Sequence, residues 1–128
     1  MVREKRSALN VQKRRFLRLA NTNRQTMKNL SQVDHVAIQT TNIKSTISWY
    51  ENYFSCEIIF EDKTWALLKF KNINIALVNP NEHPPHIAFK VDNIFEHGKP
   101  STHRDGVNYI YKKDDFGNVF ELVENIKI

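Results

Sequence analysis

The first ordered pattern along the chain is the alternation of Val33–Thr40 (VDHVAIQT), which predicts a strand. Ile43, Ile47, Tyr50 and Phe54 then fall at i, i+4, i+7 and i+11, the stripe of a helix over Asn42–Phe54. Thr41 or Asn42 supplies an N-cap for it. Three short apolar runs follow as strands: Cys56–Phe60, Thr64–Phe70 and Ile73–Val78. Asn79–Pro85 holds three of the four prolines and reads as a loop. His86–Val91 (HIAFKV) reads as a strand and Asp92–Gly98 as a short helix. Residues 99–106 read as loop, and Val107–Lys112 and Asn118–Glu124 as strands joined by a turn at Asp114–Gly117.

The second half of this pattern restarts the first. His86-Ile87-Ala88 resembles His35-Val36-Ala37, 51 residues earlier, and the two halves end on similar strands in which Ala76 corresponds to Glu121. Residues 31–128 therefore read as two copies of a strand–helix–strands unit, over about 31–80 and 85–126. The second copy is compressed in its middle and is expected to lack a strand or most of its helix.

Alternation also decides which side chains share a face. Val36 and Ile38 point one way, with His35, Ala37 and Gln39 opposite. Ile87, Phe89 and Val91 oppose His86, Ala88 and Lys90, and Phe120 and Leu122 oppose Val119, Glu121 and Val123. If the two units pair about a pseudo-two-fold axis, His35, His86 and Glu121 line one cup. Two imidazoles and a carboxylate with open positions are a facial triad for a divalent metal such as Fe(II), Mn(II) or Zn(II). The alternative for each residue alone is a polar edge group without a special role. Trp65, Tyr109 and Tyr111 either fill the core or wall a pocket for a small organic ligand. Gln39 and Lys90 lie on the cup side, as exposed edge groups or as holders of an anionic substrate. His83, His97 and His103 fall in loop-like stretches and are expected at the surface, and Cys56 is expected to be a small buried residue.

Residues 31–124 resemble the vicinal oxygen chelate superfamily, which includes glyoxalases, bleomycin-resistance proteins and dioxygenases. The resemblance is carried by Val33-Asp34-His35-Val36-Ala37-Ile38, by Ser48–Phe54, by Pro85-His86-Ile87-Ala88-Phe89 and by Tyr111–Leu122. The last run is similar to the family's aromatic-x-x-Asp-Pro-x-Gly-Asn-x-x-Glu-Leu ending, with Asp115 where proline is usual. The resemblance implies an α+β fold of two βαβββ modules forming a cupped mixed sheet. It implies a divalent ion (Fe, Mn, Zn or Ni) on His35, His86 and Glu121, a small-molecule substrate and a homodimer. The implied activity is that of a lyase or isomerase, a dioxygenase or a thiol transferase. Non-catalytic binding of a small molecule, as in bleomycin-resistance proteins, is the alternative. Ala76 stands where glyoxalase I supplies a further ligand, which disfavours lactoylglutathione lyase activity.

Composition adds one complication. The chain of 128 residues is 41% hydrophobic and 26% charged, ordinary for a globular domain, yet carries a net charge of +5. Residues 1–28 hold nine Lys/Arg against Glu4, a net +8, whereas residues 29–128 hold ten against thirteen acids, a net −3. The basic character belongs to a leading extension, residues 1–30, expected to be disordered or a poorly amphipathic helix. It reads as a solvated tail, a start placed upstream of Met27, a transit peptide, a partner-binding helix or an arm for nucleic acid; the rest of the chain carries no nucleic-acid signal. No apolar run approaches the ~20 residues of a membrane span. The single cysteine suits a reducing compartment, and a cytoplasmic location is expected. No G-x-S-x-G, P-loop or G-x-G-x-x-G occurs.

Overall fold

A computed structural model describes residues 30–125. The expectations for residues 1–28 therefore lie outside the described residues.

The first unit contains β1 (Gln32–Gln39), α1 (Ile43–Tyr53), β2 (Glu57–Glu61), β3 (Trp65–Lys69) and β4 (Asn74–Val78). The second contains β5 (His86–Val91), a 3-10 turn (Ile94–His97), β6 (Ser101–Thr102), β7 (Asn108–Lys113) and β8 (Val119–Glu124). The eight strands form one sheet in the order β2-β3-β4-β1-β5-β8-β7-β6. β1 runs parallel to β4, β5 runs parallel to β8, and the two units join where β1 and β5 pair antiparallel. The connectivity of each half is thus repeated about the β1–β5 seam, which is the α+β architecture of two strand–helix–strands modules.

Asn42 caps α1, its side chain accepting a hydrogen bond from the Ser45 N–H at 3.0 Å. Ile43 and Ile47 come from the predicted stripe and pack on Ala66, Leu68 and Leu77, with Cys56 partly buried at the margin. Phe54, predicted to extend that stripe, lies just past the helix and is half exposed. The opposite face of the same strands gathers Ala37, Trp65, Ala76 and Val78, with Phe60 stacked on Trp65 at 4.1 Å. Strand alternation therefore separates a greasy face under the helix from a face of small, aromatic and polar groups.

The second module keeps its strands and loses its helix. A 3-10 turn anchored by fully buried Ile94 stands in its place, and the expected 99–106 loop contains the two-residue β6. Strand alternation fails at one point in β1. Val33 faces Phe89 and His35 faces Ala88, so two steps on β1 answer one on β5 and Asp34 is the extra residue of a β-bulge.

Leu77 has no solvent exposure and touches the helix through Ile43 and Ile47. Leu77→Ala should lower unfolding free energy by about 3 kcal/mol, the usual cost of a cavity in a core that cannot collapse. Urea denaturation measures it, and a loss below about 1 kcal/mol would show that the packing drawn here is wrong.

Candidate metal centre

The register across the seam builds the site. His35 on β1 faces Ala88 on β5, and Ala37 on β1 faces His86 on β5. Each imidazole thus has a methyl group as its cross-strand neighbour, because both strands carry His at one position and Ala two residues later. Ala88 also faces Glu121 on β8, which in turn faces Tyr111 on β7. Asn74, His35, Ala88, Glu121 and Tyr111 form one row across five strands, pointing to one side of the sheet. Ala88 keeps the row open in the middle, so His35 and Glu121 can lean together above it.

They do so closely. His35 Nε2 and His86 Nε2 lie 3.4 Å apart, and Glu121 Oε1 lies 3.1 Å from the first and 3.4 Å from the second. Exposure is 8% for His35, 6% for His86 and 1% for Glu121, so a carboxylate and two rings are enclosed together. Glu121 Oε1 is buried and receives no well-directed hydrogen bond, an orphaned acceptor of the kind that costs stability unless something else meets it. An ion bonded at about 2.1 Å holds neighbouring ligand atoms about 3.0 Å apart at right angles and about 3.4 Å apart at tetrahedral angles. The three atoms stand at the spacing that a single small divalent cation requires. Among the described residues they form the one group of His, Cys, Asp or Glu side chains able to hold a metal ion.

The surrounding hydrogen bonds orient these donors. His35 Nδ1 donates to Asp34 Oδ2 at 2.7 Å, and His86 Nδ1 donates to the Pro84 carbonyl at 2.7 Å. In a neutral imidazole a proton at Nδ1 leaves the lone pair on Nε2, the atom aimed into the cluster. The bulge explains the first contact: it brings Asp34 to the cup side beside His35, where strict alternation would send it away. His103 Nε2 meets Glu121 Oε2 at 2.7 Å, which occupies one carboxylate oxygen and leaves Oε1 for the cluster.

Electrostatics follow from this crowding. Burial opposes charge on Glu121, but the hydrogen bond from His103 and the close imidazoles of His35 and His86 outweigh it and hold the carboxyl far below its ordinary range. Burial likewise opposes charge on His35, but Asp34 and Glu121 outweigh it and push the imidazole up to about 9. Without a cation, a proton on His35 supplies positive charge beside Glu121. Burial pushes the Tyr111 phenol up, with Glu121 and Tyr109 adding to the shift. It stays protonated and shares a hydrogen bond of 3.0 Å with His83 Nδ1. His83 is shifted down, chiefly by burial and then by His103, against the opposing pull of Glu82 and Glu121.

A cavity of about 310 Å³ opens over the cluster. Of the further residues expected around it, Trp65, Lys90 and Tyr111 line it. Lys90 Nζ lies 3.8 Å from Asp34 Oδ1, so its charge is met within the protein. Gln39 lies outside the lining and donates to the His83 carbonyl at 2.9 Å, bracing the 79–85 loop. Tyr109 stacks on His103, with ring centroids 3.5 Å apart and planes at 6°. Ala76 lines the cavity and offers no ligand. Two expectations are corrected. His83 and His103 are not surface residues; both line the cavity, because the loops that carry them fold back over the cup. Only His97 of the three is exposed. Nothing in the periodicity marks His83 or His103, since loops have no face to read.

No protein-family model and no curated protein matches the sequence. Solved structures do. A hypothetical protein from Bacillus halodurans is 19% identical, with a TM-score of 0.64 over 78% of this chain and 98% of its own. A variant of Streptomyces coelicolor methylmalonyl-CoA epimerase in complex with 2-nitronate-propionyl-CoA is 17% identical, with a TM-score of 0.65 over 77% of this chain and all of its own. A glyoxalase/bleomycin resistance protein/dioxygenase superfamily member from Vibrio splendidus is 11% identical, with a TM-score of 0.53 over 75% and 100%. At these identities the likeness establishes the fold alone, a glyoxalase-like α+β sheet of the kind that the resemblance implied. Among the described residues no helix is long and apolar enough to cross a membrane.

The shifts set a pH signature for the metal-free protein. His35 is raised from 6.5 to about 9, so its contribution is fully present below pH 6.5 and is lost as pH climbs to about 9. Glu121 is lowered from 4.5, so its contribution is present above pH 4.5 and is lost on acidification. Metal-free protein should be most stable between pH 4.5 and 6.5. Thermal melts across pH check this. A midpoint that rises steadily from pH 6.5 to 9 contradicts the pairing of His35 with Glu121.

Proposed function

We propose that this chain, which carries the vicinal-oxygen-chelate fold, is a divalent-metal-dependent enzyme acting on a small molecule through two adjacent substrate oxygens. The observation that carries the reading is the triangle of His35 Nε2, His86 Nε2 and Glu121 Oε1, with sides of 3.1–3.4 Å and one buried corner lacking a hydrogen bond. His35, His86 and Glu121 would hold the ion. Three protein ligands leave coordination positions open, and a bound divalent ion supplies Lewis acidity toward a substrate oxygen.

The chain's own groups support proton-transfer chemistry of the isomerase or lyase type within that class. The Tyr111 phenol is a donor held protonated by burial, and His83 is an imidazole held toward its neutral form, also by burial. Hydrogen-bonded to each other at 3.0 Å and both facing the cavity, they form a donor and an acceptor next to the cluster. Trp65, Leu67, Val78 and Val123 give the cavity apolar walls, which exclude water and favour a compact, largely uncharged substrate body.

Elemental analysis of purified protein tests the reading. One Fe, Mn, Zn, Ni or similar divalent ion per chain is expected, lost in His86→Ala, with turnover of a small oxygen-chelating substrate disappearing on chelation and returning with metal. Metal-free protein that still binds its ligand, with His86→Ala binding equally well, would point instead to a non-catalytic binding protein.

A further inference from the structure

The carboxylate at the centre of the cluster has two oxygens, and only one belongs to the donor triangle. Glu121 Oε2 points the other way, to His103 Nε2 at 2.7 Å. His103 comes from the β6–β7 loop, a segment without regular periodicity, so its arrival at a buried carboxylate needs a structural cause. Three contacts supply it. The His103 ring lies flat on Tyr109 of β7, 3.5 Å away, with the Trp65 indole of the first module at 6.0 Å. The loop closes on itself, with His103 N–H donating to the Val107 carbonyl at 2.9 Å and Gly106 N–H donating to the His103 carbonyl at 2.8 Å. Gly106 has φ +91°, a conformation that admits this turn at little cost for glycine alone. Next to His103, the Arg104 guanidinium reaches across to the first module, donating to Asp62 Oδ2 and Thr64 Oγ1 at 2.6 Å each, with Glu82 Oε2 at 3.4 Å.

We infer that His103 is the positioning residue of the metal centre: it clamps Glu121 Oε2 by a hydrogen bond so that Oε1 alone is presented to the cation. The inference rests on the metal-dependent reading above. An ionised carboxylate free on both oxygens can rotate, chelate through both, or turn onto whichever imidazole is protonated. A hydrogen bond to one oxygen from an imidazole wedged against Tyr109 removes that freedom. Such a bond to an ionised acceptor is also stronger than a neutral one. His103 is not itself part of the donor set, which among the described residues comprises His35, His86 and Glu121. Arg104 ties the β6–β7 loop to the β2–β3 turn and so keeps the clamp seated.

The test compares wild type, His103→Phe, which keeps an aromatic ring on Tyr109 but has no donor, and His103→Gln, which restores an N–H. Each is titrated with Co(II) at neutral pH against a competing chelator, with the visible bands of the bound ion recorded and the melt of the metal-free protein as a check on folding. His103→Phe should bind Co(II) 10- to 100-fold more weakly than wild type, with altered bands. His103→Gln should recover to within about threefold with wild-type bands. Should His103→Phe fail to fold, His103→Leu, which likewise has no donor, takes its place with the same expected loss and the same overturning result. Equal affinity in His103→Phe and wild type overturns the proposal while leaving the metal site standing. A His103→Gln protein with weakened binding and changed bands also overturns it, because the ring would then be a ligand. Wild-type protein that takes up no Co(II) overturns both the clamp and the metal reading.

Discussion

The antiparallel register between β1 and β5 is the constraint on which the site depends. It sets each histidine opposite an alanine, His35 to Ala88 and Ala37 to His86, so two rings approach over two methyl groups. A shift by one residue would put the two imidazoles on opposite sides of the sheet, so that only one of them remained in the cup. The parallel pairing of β5 with β8 then places Glu121 beside Ala88. Backbone hydrogen bonding of the central strands thus brings together three chemical groups spaced 51 and 35 residues apart along the chain, without a short-range motif.

What the register assembles is expensive for the protein. A carboxylate that is 1% exposed is disfavoured unless positive charge and hydrogen bonds surround it. The surroundings of Glu121 consist of His35, His86 and His103, and Glu121 together with Asp34 favours the charged form of the His35 imidazole against its burial. The same geometry leaves Oε1 without a directed hydrogen bond. Packing accounts for the buried faces of α1 and β3, but it gives no reason to enclose an acid in this way. A divalent ion held as proposed would, and it would reconcile the burial, the three-atom spacing and the Nδ1 contacts of the two histidines.

Much of this was legible in the sequence, and the parts that were not have a common cause. β5 was read with its observed ends because HIAFKV alternates cleanly, and α1 was read because Ile43 and Ile47 keep helical spacing. His35, His86 and Glu121 could be grouped because strand alternation and the repeat assigned each a side. Asp34 could not be placed, since a bulge breaks the alternation that reading relies on. His83 and His103 were misread as surface groups because their loops take their course from tertiary contacts, Gln39 to the His83 carbonyl and Arg104 to Asp62. Residue type alone does not report such contacts. The compressed middle of the second copy implied the loss of a strand or of most of the helix; it is the helix that shrinks, to a turn anchored by buried Ile94.

The most direct test of the central claim is anomalous diffraction at the zinc edge from crystals of the metal-loaded protein. The account predicts one strong peak in the cup, about 2.0–2.2 Å from His35 Nε2, His86 Nε2 and Glu121 Oε1 together. A peak held by other residues, or those three side chains turned apart with no ion between them, would contradict it.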